Sequence, residues 1–219
     1  MISLALDQVA SALGAQRCGG GGARETAVRR VCTDSREVRA GDLFVAVRGV
    51  RFDGHAFIRD AFRRGAVACV CDRRDENLIR NTAAEDDAYA ILFANDTVES
   101  LGRLASYYRQ SVMSPMTKVI AITGSNGKTT TKQMLHHVLS SRMAGRCAPR
   151  SYNNNIGVPL TILSSEKDDR YLIVEIGTNA PGEVAQLAAI AAPHIGVITS
   201  VGEAHLSGLG TLWDVAAEK

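Results

Sequence analysis

Residues Ala121 to Thr131 read AITGSNGKTTT, and this stretch decides the fold. Immediately before and into it, Lys118 to Thr123 (KVIAIT) has the composition of a buried strand. Beyond it, Thr129 to Ser140 carries a helical period, with Met134, Leu135, Val138 and Leu139 expected to face inward. A glycine-rich loop set between a strand and a helix is the layout of a phosphate-binding loop. In it the backbone N–H groups of Gly124, Ser125, Asn126 and Gly127 turn inward around phosphate oxygens, and the helix start at Thr129 and Thr130 adds its positive dipole end. Lys128 supplies a point charge, and the Thr129 hydroxyl is placed to ligate Mg²⁺. The common form of this loop has a further glycine where this chain has Ile122, so the loop is a shortened variant.

Three polar clusters follow, each in or next to an apolar stretch. Glu175 is the only charge in YLIVEIGTN and ends a strand too apolar to carry it freely. A buried carboxylate needs a partner, which a phosphate-bound cation would supply; the alternative is a salt bridge to a nearby arginine. His205, in SVGEAHLSG, follows a third apolar strand and suits a metal or a phosphate. Asn153, Asn154 and Asn155, in YNNNIGVPLT, offer amide donors and acceptors, although such a run alone reads as a turn. Ligands of parallel sheets gather at the carboxyl ends of strands, where all three clusters would fall.

The surrounding sequence alternates strand and helix. Tyr171–Ile176 and Ile195–Val201 are apolar strands, with a helix from Pro181 to about Ala191 between them. Ahead of the loop, Asp42–Val47, Val67–Cys71 and Ala88–Ala94 read as strands. His55–Arg64 reads as a helix ended by Gly65, and Asp96 is placed to cap a second helix running to about Gln110. Ser111 to Thr117 (SVMSPMT) breaks the pattern, so the expected domains are 1–112 and 113–219. The fold class is α/β: a small α/β domain, then a mostly parallel phosphate-loop sheet flanked by helices.

Composition narrows the function. Of 219 residues, 46% are hydrophobic and 22% charged, which are globular values. A net charge of +2 and 5% aromatic residues give no basis for nucleic-acid binding or an anionic membrane surface. Val184 to Gly202 is the longest run without Asp, Glu, Lys or Arg, but it contains Pro193 and His194 and reads as a helix followed by a strand. The start, MISLALDQVA, lacks a basic region and is not expected to be a signal peptide. Cys18, Cys32, Cys69, Cys71 and Cys147 are odd in number and lack zinc spacing, as expected for reduced thiols in a cytoplasmic protein.

The order TGSNGKTT, NNNIGVPLT, VEIGTNAPGE and ITSVGEAHLSGLGTLWDVAAEK resembles the Mur ligases, ATP-dependent amide-bond formers of peptidoglycan synthesis. CTDSREVRAGDLFVAVRG and FDGHAFIRDAFRRGA resemble the family's uridine-nucleotide-binding N-terminal domain. The EIGTNAPGE run resembles the branch that joins D-alanyl-D-alanine to UDP-N-acetylmuramoyl-tripeptide, through an acyl phosphate.

The resemblance implies that Lys128 and its loop hold the β- and γ-phosphates of ATP, and that Thr129 and Glu175 bind one Mg²⁺. His205 would serve a second Mg²⁺, with Glu175 shared. Ser35 and Arg36 match the TDSR signature for the UDP part, and Asn153, Asn154 and Thr161 match positions near the muramoyl-peptide carboxylate. Lys219 aligns with a lysine that the family carbamylates, which turns a repelling ammonium into an anionic oxygen ligand. Ser200 and Ser207 depart from the usual Asn and Glu.

Family members continue past the equivalent of Lys219, so the chain is expected to carry part of the ATPase domain. A parallel sheet interrupted there would expose an edge and self-associate. Two other readings stand beside the ligase: a phosphate-loop kinase or NTPase, and a binding fragment that keeps the UDP-substrate site without ligation.

Overall fold

The computed structural model describes residues 4–19, 26–50, 52–77, 79, 90–204 and 206–219. By internal contacts the chain divides into two units, Met1–Leu104 and Ala105–Lys219.

In the first unit, β1 (Leu4–Ala5), α1 (Leu6–Leu13), β2 (Gln16–Cys18), β3 (Ala27–Val28), β4 (Arg30–Cys32) and β5 (Asp42–Val45) precede α2 (Ile58–Arg63). They are followed by β6 (Ala68–Asp72) and β7 (Ala90–Ala94). Five strands form one sheet in the order β2-β7-β6-β5-β4, with β2 antiparallel and the other neighbours parallel. β1 and β3 pair separately.

The period-two rule places Cys69 and Cys71 on one face, and both are buried in a cluster with Phe44, Phe62, Ile91 and Phe93. Burial pushes both thiols up, which keeps them protonated and inert. Residues 55–64 form two pieces rather than one helix. Asp53 accepts from the His55 amide at 3.0 Å and starts a 3₁₀ turn over Gly54–Phe57, so α2 begins only at Ile58. Gly65, at φ +100°, follows its end.

Helix α3 (Thr97–Ser111) is capped as expected: Asp96 Oδ1 accepts from the amides of Val98 and Glu99, each at 2.8 Å. The division between the units falls within this helix, and the Pro115 stretch follows its end. No helix among the described residues is long and apolar enough to cross a membrane.

The second unit contains β8 (Lys118–Thr123), α4 (Lys128–Ser140), β9 (Gly145–Cys147), α5 (Gly157–Leu163), β10 (Tyr171–Glu175), α6 (Glu183–Ala191) and β11 (Ile195–Ile198). Two short helices, α7 (Leu206–Leu209) and α8 (Leu212–Glu218), close it. Its sheet is parallel throughout, in the order β11-β8-β10-β9.

Leu135 and Leu139 of α4 pack on Ile120, Ile122, Tyr171 and Ile173. Met134 and Val138, expected to face inward as well, are 66% and 63% exposed. The buried stripe of α4 runs instead through Lys132, Leu135 and Leu139, one helical face at spacings of three and four. Strand β11 ends at Ile198, earlier than the expected Val201, because the backbone then turns toward the phosphate loop: the Ser125 amide donates to Ser200 O at 2.9 Å.

Candidate functional site

The loop between β8 and α4 lies at the carboxyl end of the parallel sheet. Gly124 has φ +142°, and a Cβ there would stand 2.1 Å from Thr199 Oγ1. Gly127, at φ +81°, is the residue before α4, with no side-chain cap. The segment after β11 braces the loop. Asn126 N donates to Ser200 Oγ at 2.9 Å, Thr199 Oγ1 donates to Asn126 O at 2.6 Å, and Ser125 Oγ donates to Gly202 O at 2.9 Å. Ser200 thus acts directly on the loop. Lys128 Nζ donates to Gly124 O at 2.5 Å, which curls the cation over its own loop, while Thr129 and Thr130 are exposed at the helix start. At the root of the loop the buried Thr123 hydroxyl has no hydrogen-bond partner among the described residues.

Glu175, the last residue of β10, is 1% exposed. Thr129 Oγ1 donates to its two oxygens at 3.1 and 3.2 Å, and Asn153 Nδ2 donates to Oε1 at 3.1 Å. Among the described residues its charge partner is Lys132 rather than an arginine: Lys132 is 0% exposed, with Nζ 2.9 Å from Oε2. Sequence reasoning missed Lys132, although its position three residues after Thr129 puts both on one helical face.

Asn154 Oδ1 accepts from Gly157 N at 2.9 Å and from Ile156 N at 3.2 Å, so it caps α5. A polar cleft is lined by Lys128, Asn153, Asn154, Thr178, Glu183 and Gln186 among others. Thr161 is buried within α5, its hydroxyl donating to Gly157 O at 2.8 Å. It is therefore held by its own helix rather than lining that cleft. His205 lies outside the described residues.

Lys219 ends α8. Its ammonium is held below the ordinary lysine range by burial first and by the charge of Lys128 second, with Glu218 opposing. Glu218 accepts from Gly182 N at 2.7 Å, Val184 N at 2.8 Å and Thr178 Oγ1 at 3.2 Å, another link that sequence reasoning did not find.

In the first unit, Ser35 and Arg36 occupy a 3₁₀ turn after β4. Asp34 accepts from Arg36 Nε at 2.9 Å, Nη2 at 2.6 Å and backbone N at 3.0 Å. The side-chain bonds from Arg36, then its amide, hold the Asp34 carboxyl at about 2. His55, Asp72 and Asp75 also meet closely enough to suggest a metal group. However, His55 Nε2 accepts from Asp72 N at 2.9 Å, His55 Nδ1 lies 2.5 Å from Asp53, and Arg48 pairs with Asp75 at 2.7 Å. Both ring nitrogens are spent, and the cluster is a structural latch.

The Mur ligase family catalytic-domain profile matches residues 27–109, and the Mur ligase middle-domain profile matches 122–219. The chain belongs to the Mur ligase family. The UDP-N-acetylmuramoyl-tripeptide–D-alanyl-D-alanine ligase of Bacillus subtilis is 37% identical over 195 residues, which is 89% of this chain and 40% of that protein. The Escherichia coli ligase of the same name is 34% identical over all of this chain and 45% of its own length.

Among solved Mur ligase structures, MurF from Acinetobacter baumannii superposes with a TM-score of 0.83 at 32% identity, over 99% of this chain and 45% of that one. MurF from Thermotoga maritima, solved with ADP, gives 0.73 at 37% identity over 87% and 42%. The chain spans less than half the length of these Mur ligase relatives.

Proposed function

We propose that this chain carries the UDP-substrate and ATP-phosphate sites of an ATP-dependent ligase that joins D-alanyl-D-alanine to UDP-N-acetylmuramoyl-tripeptide in the cytoplasm. The observation that carries the reading is the Thr129 hydroxyl against Glu175 at 3.1 Å, beside Lys128, at the carboxyl end of a parallel sheet. The matching names of the Bacillus and Escherichia relatives supply the substrates. Residues 1–112 would hold the uridine nucleotide through Ser35 and Arg36, and residues 113–219 the ATP phosphates.

The donor set fits Mg²⁺: a hydroxyl and a carboxylate in contact, both hard oxygen ligands. Thr129 and Glu175 would hold one ion, with His205 and a carbamylated Lys219 serving a second. The ions would neutralise phosphate charge, the chief obstacle when a carboxylate attacks a phosphate. The amides of Gly124 to Gly127 would fix the phosphates in line, with Thr130 at the same helix start, and Lys128 would balance charge on the transferred group. Asn153 and Asn154 would orient the substrate carboxylate, whose oxygen displaces ADP from the γ-phosphorus to give an acyl phosphate. The amine of D-alanyl-D-alanine then attacks the acyl carbon and expels phosphate. Thr161 would act on this cleft only indirectly, through α5.

A second reading for these 219 residues is substrate and phosphate binding without completed ligation. Calorimetric titration of the chain with UDP-N-acetylmuramoyl-tripeptide, against UDP-N-acetylglucosamine, tests the assignment. Preference for the muramoyl-peptide supports it, and absence of preference in folded protein counts against it. ATP consumption that needs both tripeptide and amine separates ligase from binding fragment and from kinase.

A further inference from the structure

Lys132 is the one lysine with its whole side chain buried among the described residues, yet no step above uses it. Its ammonium reaches two elements at once. On one side it lies 2.9 Å from Glu175 Oε2 at the end of β10. On the other it donates to the carbonyl of Arg150, in the segment that leads to Asn153 and Asn154.

Backbone bonds also hold that segment: Ala148 N donates to Ile173 O at 2.9 Å, Tyr152 N to Pro149 O at 3.2 Å and Gly177 N to Asn153 O at 2.8 Å. Between them Arg150 has φ +47°, a left-handed conformation uncommon for a residue with a side chain. The Lys132 bond is what fixes the carbonyl at that residue.

Stability alone does not account for such a lysine. A buried ion pair is commonly no better than apolar side chains of the same volume, so its retention points to positioning. The donors to Glu175 divide accordingly. Thr129 is the donor that the proposed function also assigns to Mg²⁺, whereas Lys132 and Asn153 approach from the α4 interior and from the amide loop. We propose that Lys132 is a positioning residue, which fixes the Glu175 carboxylate and, through Arg150, the loop bearing Asn153 and Asn154 as one rigid unit. Its significance for nucleotide binding rests on the reading of Glu175 as the Mg²⁺ carboxylate; the tie itself does not.

The test uses the 219-residue chain, the variants Lys132→Met and Lys132→Met with Glu175→Gln, and two readouts. The double variant removes the carboxylate that Lys132→Met alone would leave buried and unpaired, so it keeps the tie testable if the single variant does not fold. Hydrogen exchange at the amides of Tyr152, Gly157 and Gly177, which donate to Pro149 O, Asn154 Oδ1 and Asn153 O, should speed up by about tenfold or more in each folded variant, with β8 and β10 amides little changed. In Lys132→Met, the gain in ADP affinity on adding Mg²⁺ should shrink by about tenfold, while metal-free ADP binding stays within about twofold. Native-like protection of those three amides overturns the proposal, as does loosening spread evenly over the sheet. Should native protein bind ADP equally with and without Mg²⁺, the metal assignment of Glu175 fails, while the exchange data still decide the tie.

Discussion

The carboxylate of Glu218, at the end of α8, accepts a hydrogen bond from the amide of Val184 at 2.8 Å, in the first turn of α6. Helix α6 starts from Gly182, which has no side chain to cap it, so Glu218 supplies the cap from another helix and also accepts from Gly182 N and Thr178 Oγ1. Burial works against its charge, but the donors at Val184, Gly182 and Thr178 and the neighbouring Lys219 hold the carboxyl below its ordinary value. A depressed carboxylate stabilises the fold above its unfolded pKa, and that contribution is lost as pH falls through the folded value. Glu218→Ala should cost about 1 kcal/mol in urea denaturation at neutral pH, with the difference from wild type shrinking in acid. Equal stability of the two proteins at pH 7 would remove Glu218 as a cap.

Asp34 and Arg36 form a two-pronged pair within one 3₁₀ turn. The Arg36 side chain is mostly exposed, so the pair is screened and adds little stability; under the proposed function it would present the guanidinium to the UDP part. In an NMR titration the Asp34 carboxyl should show a midpoint of about 2, and Arg36→Ala should return it toward the ordinary range. Asp34→Asn should weaken UDP-substrate binding with little change in melting temperature. A large melting shift with intact binding would assign the pair to folding instead.

Lys128→Ala separates the two halves of the proposed function. It should weaken ADP binding by about tenfold to a hundredfold and abolish ATP-dependent turnover, because the charge over the phosphates is lost. UDP-substrate affinity should stay within about twofold, since Ser35 and Arg36 are untouched. Parallel calorimetric titrations with the two ligands read both effects. Loss of both affinities together in folded protein would sink this division of labour.

Gly124→Ala attacks the loop backbone rather than its charge. A Cβ would stand 2.1 Å from Thr199 Oγ1 and 3.0 Å from Ser200 N, at a φ of +142° that other residues rarely adopt. The Thr199 hydroxyl is held by Thr123 O and Asn126 O, so moving it aside breaks those bonds, and the Ser200 backbone cannot swing away by a side-chain rotation. The expected cost is about 1–3 kcal/mol in denaturation, with ADP affinity falling as well. A Gly124→Ala protein as stable as native, with unchanged ADP binding, would show that the loop tolerates another conformation.

The structure agrees with the sequence reading where the information is local. The loop from Gly124 to Thr130 is legible because its strand, its glycines and its helix adjoin, and Glu175 stands out as one charge in an apolar strand. What failed was partnership across the chain. Lys132 reads as a solvated helix charge until β10 and Arg150 are placed beside it. On α4 the apolar period admits two faces, and packing selected the one with Leu135 and Leu139, leaving Met134 and Val138 outside. Glu218 caps a helix far away in sequence, beyond the reach of any capping pattern.

Among the described residues, strand β11 pairs with β8 along one side and is the end member of its sheet, while Ile195 and Ile198 are 50% and 55% exposed. An unpaired edge with apolar side chains is a template for another strand, and the exposed Met134 and Val138 of the same unit add sticky area. Light scattering of the 219-residue chain should therefore show mass rising with concentration. Ile198→Lys should suppress the rise, because a charge on an edge strand opposes pairing with a second copy. The substituted position lies outside the phosphate contacts, so ADP affinity should be unchanged in the same protein. A monodisperse monomer at high concentration in native protein would mean that the edge is already protected, and the substitution would then have nothing to suppress.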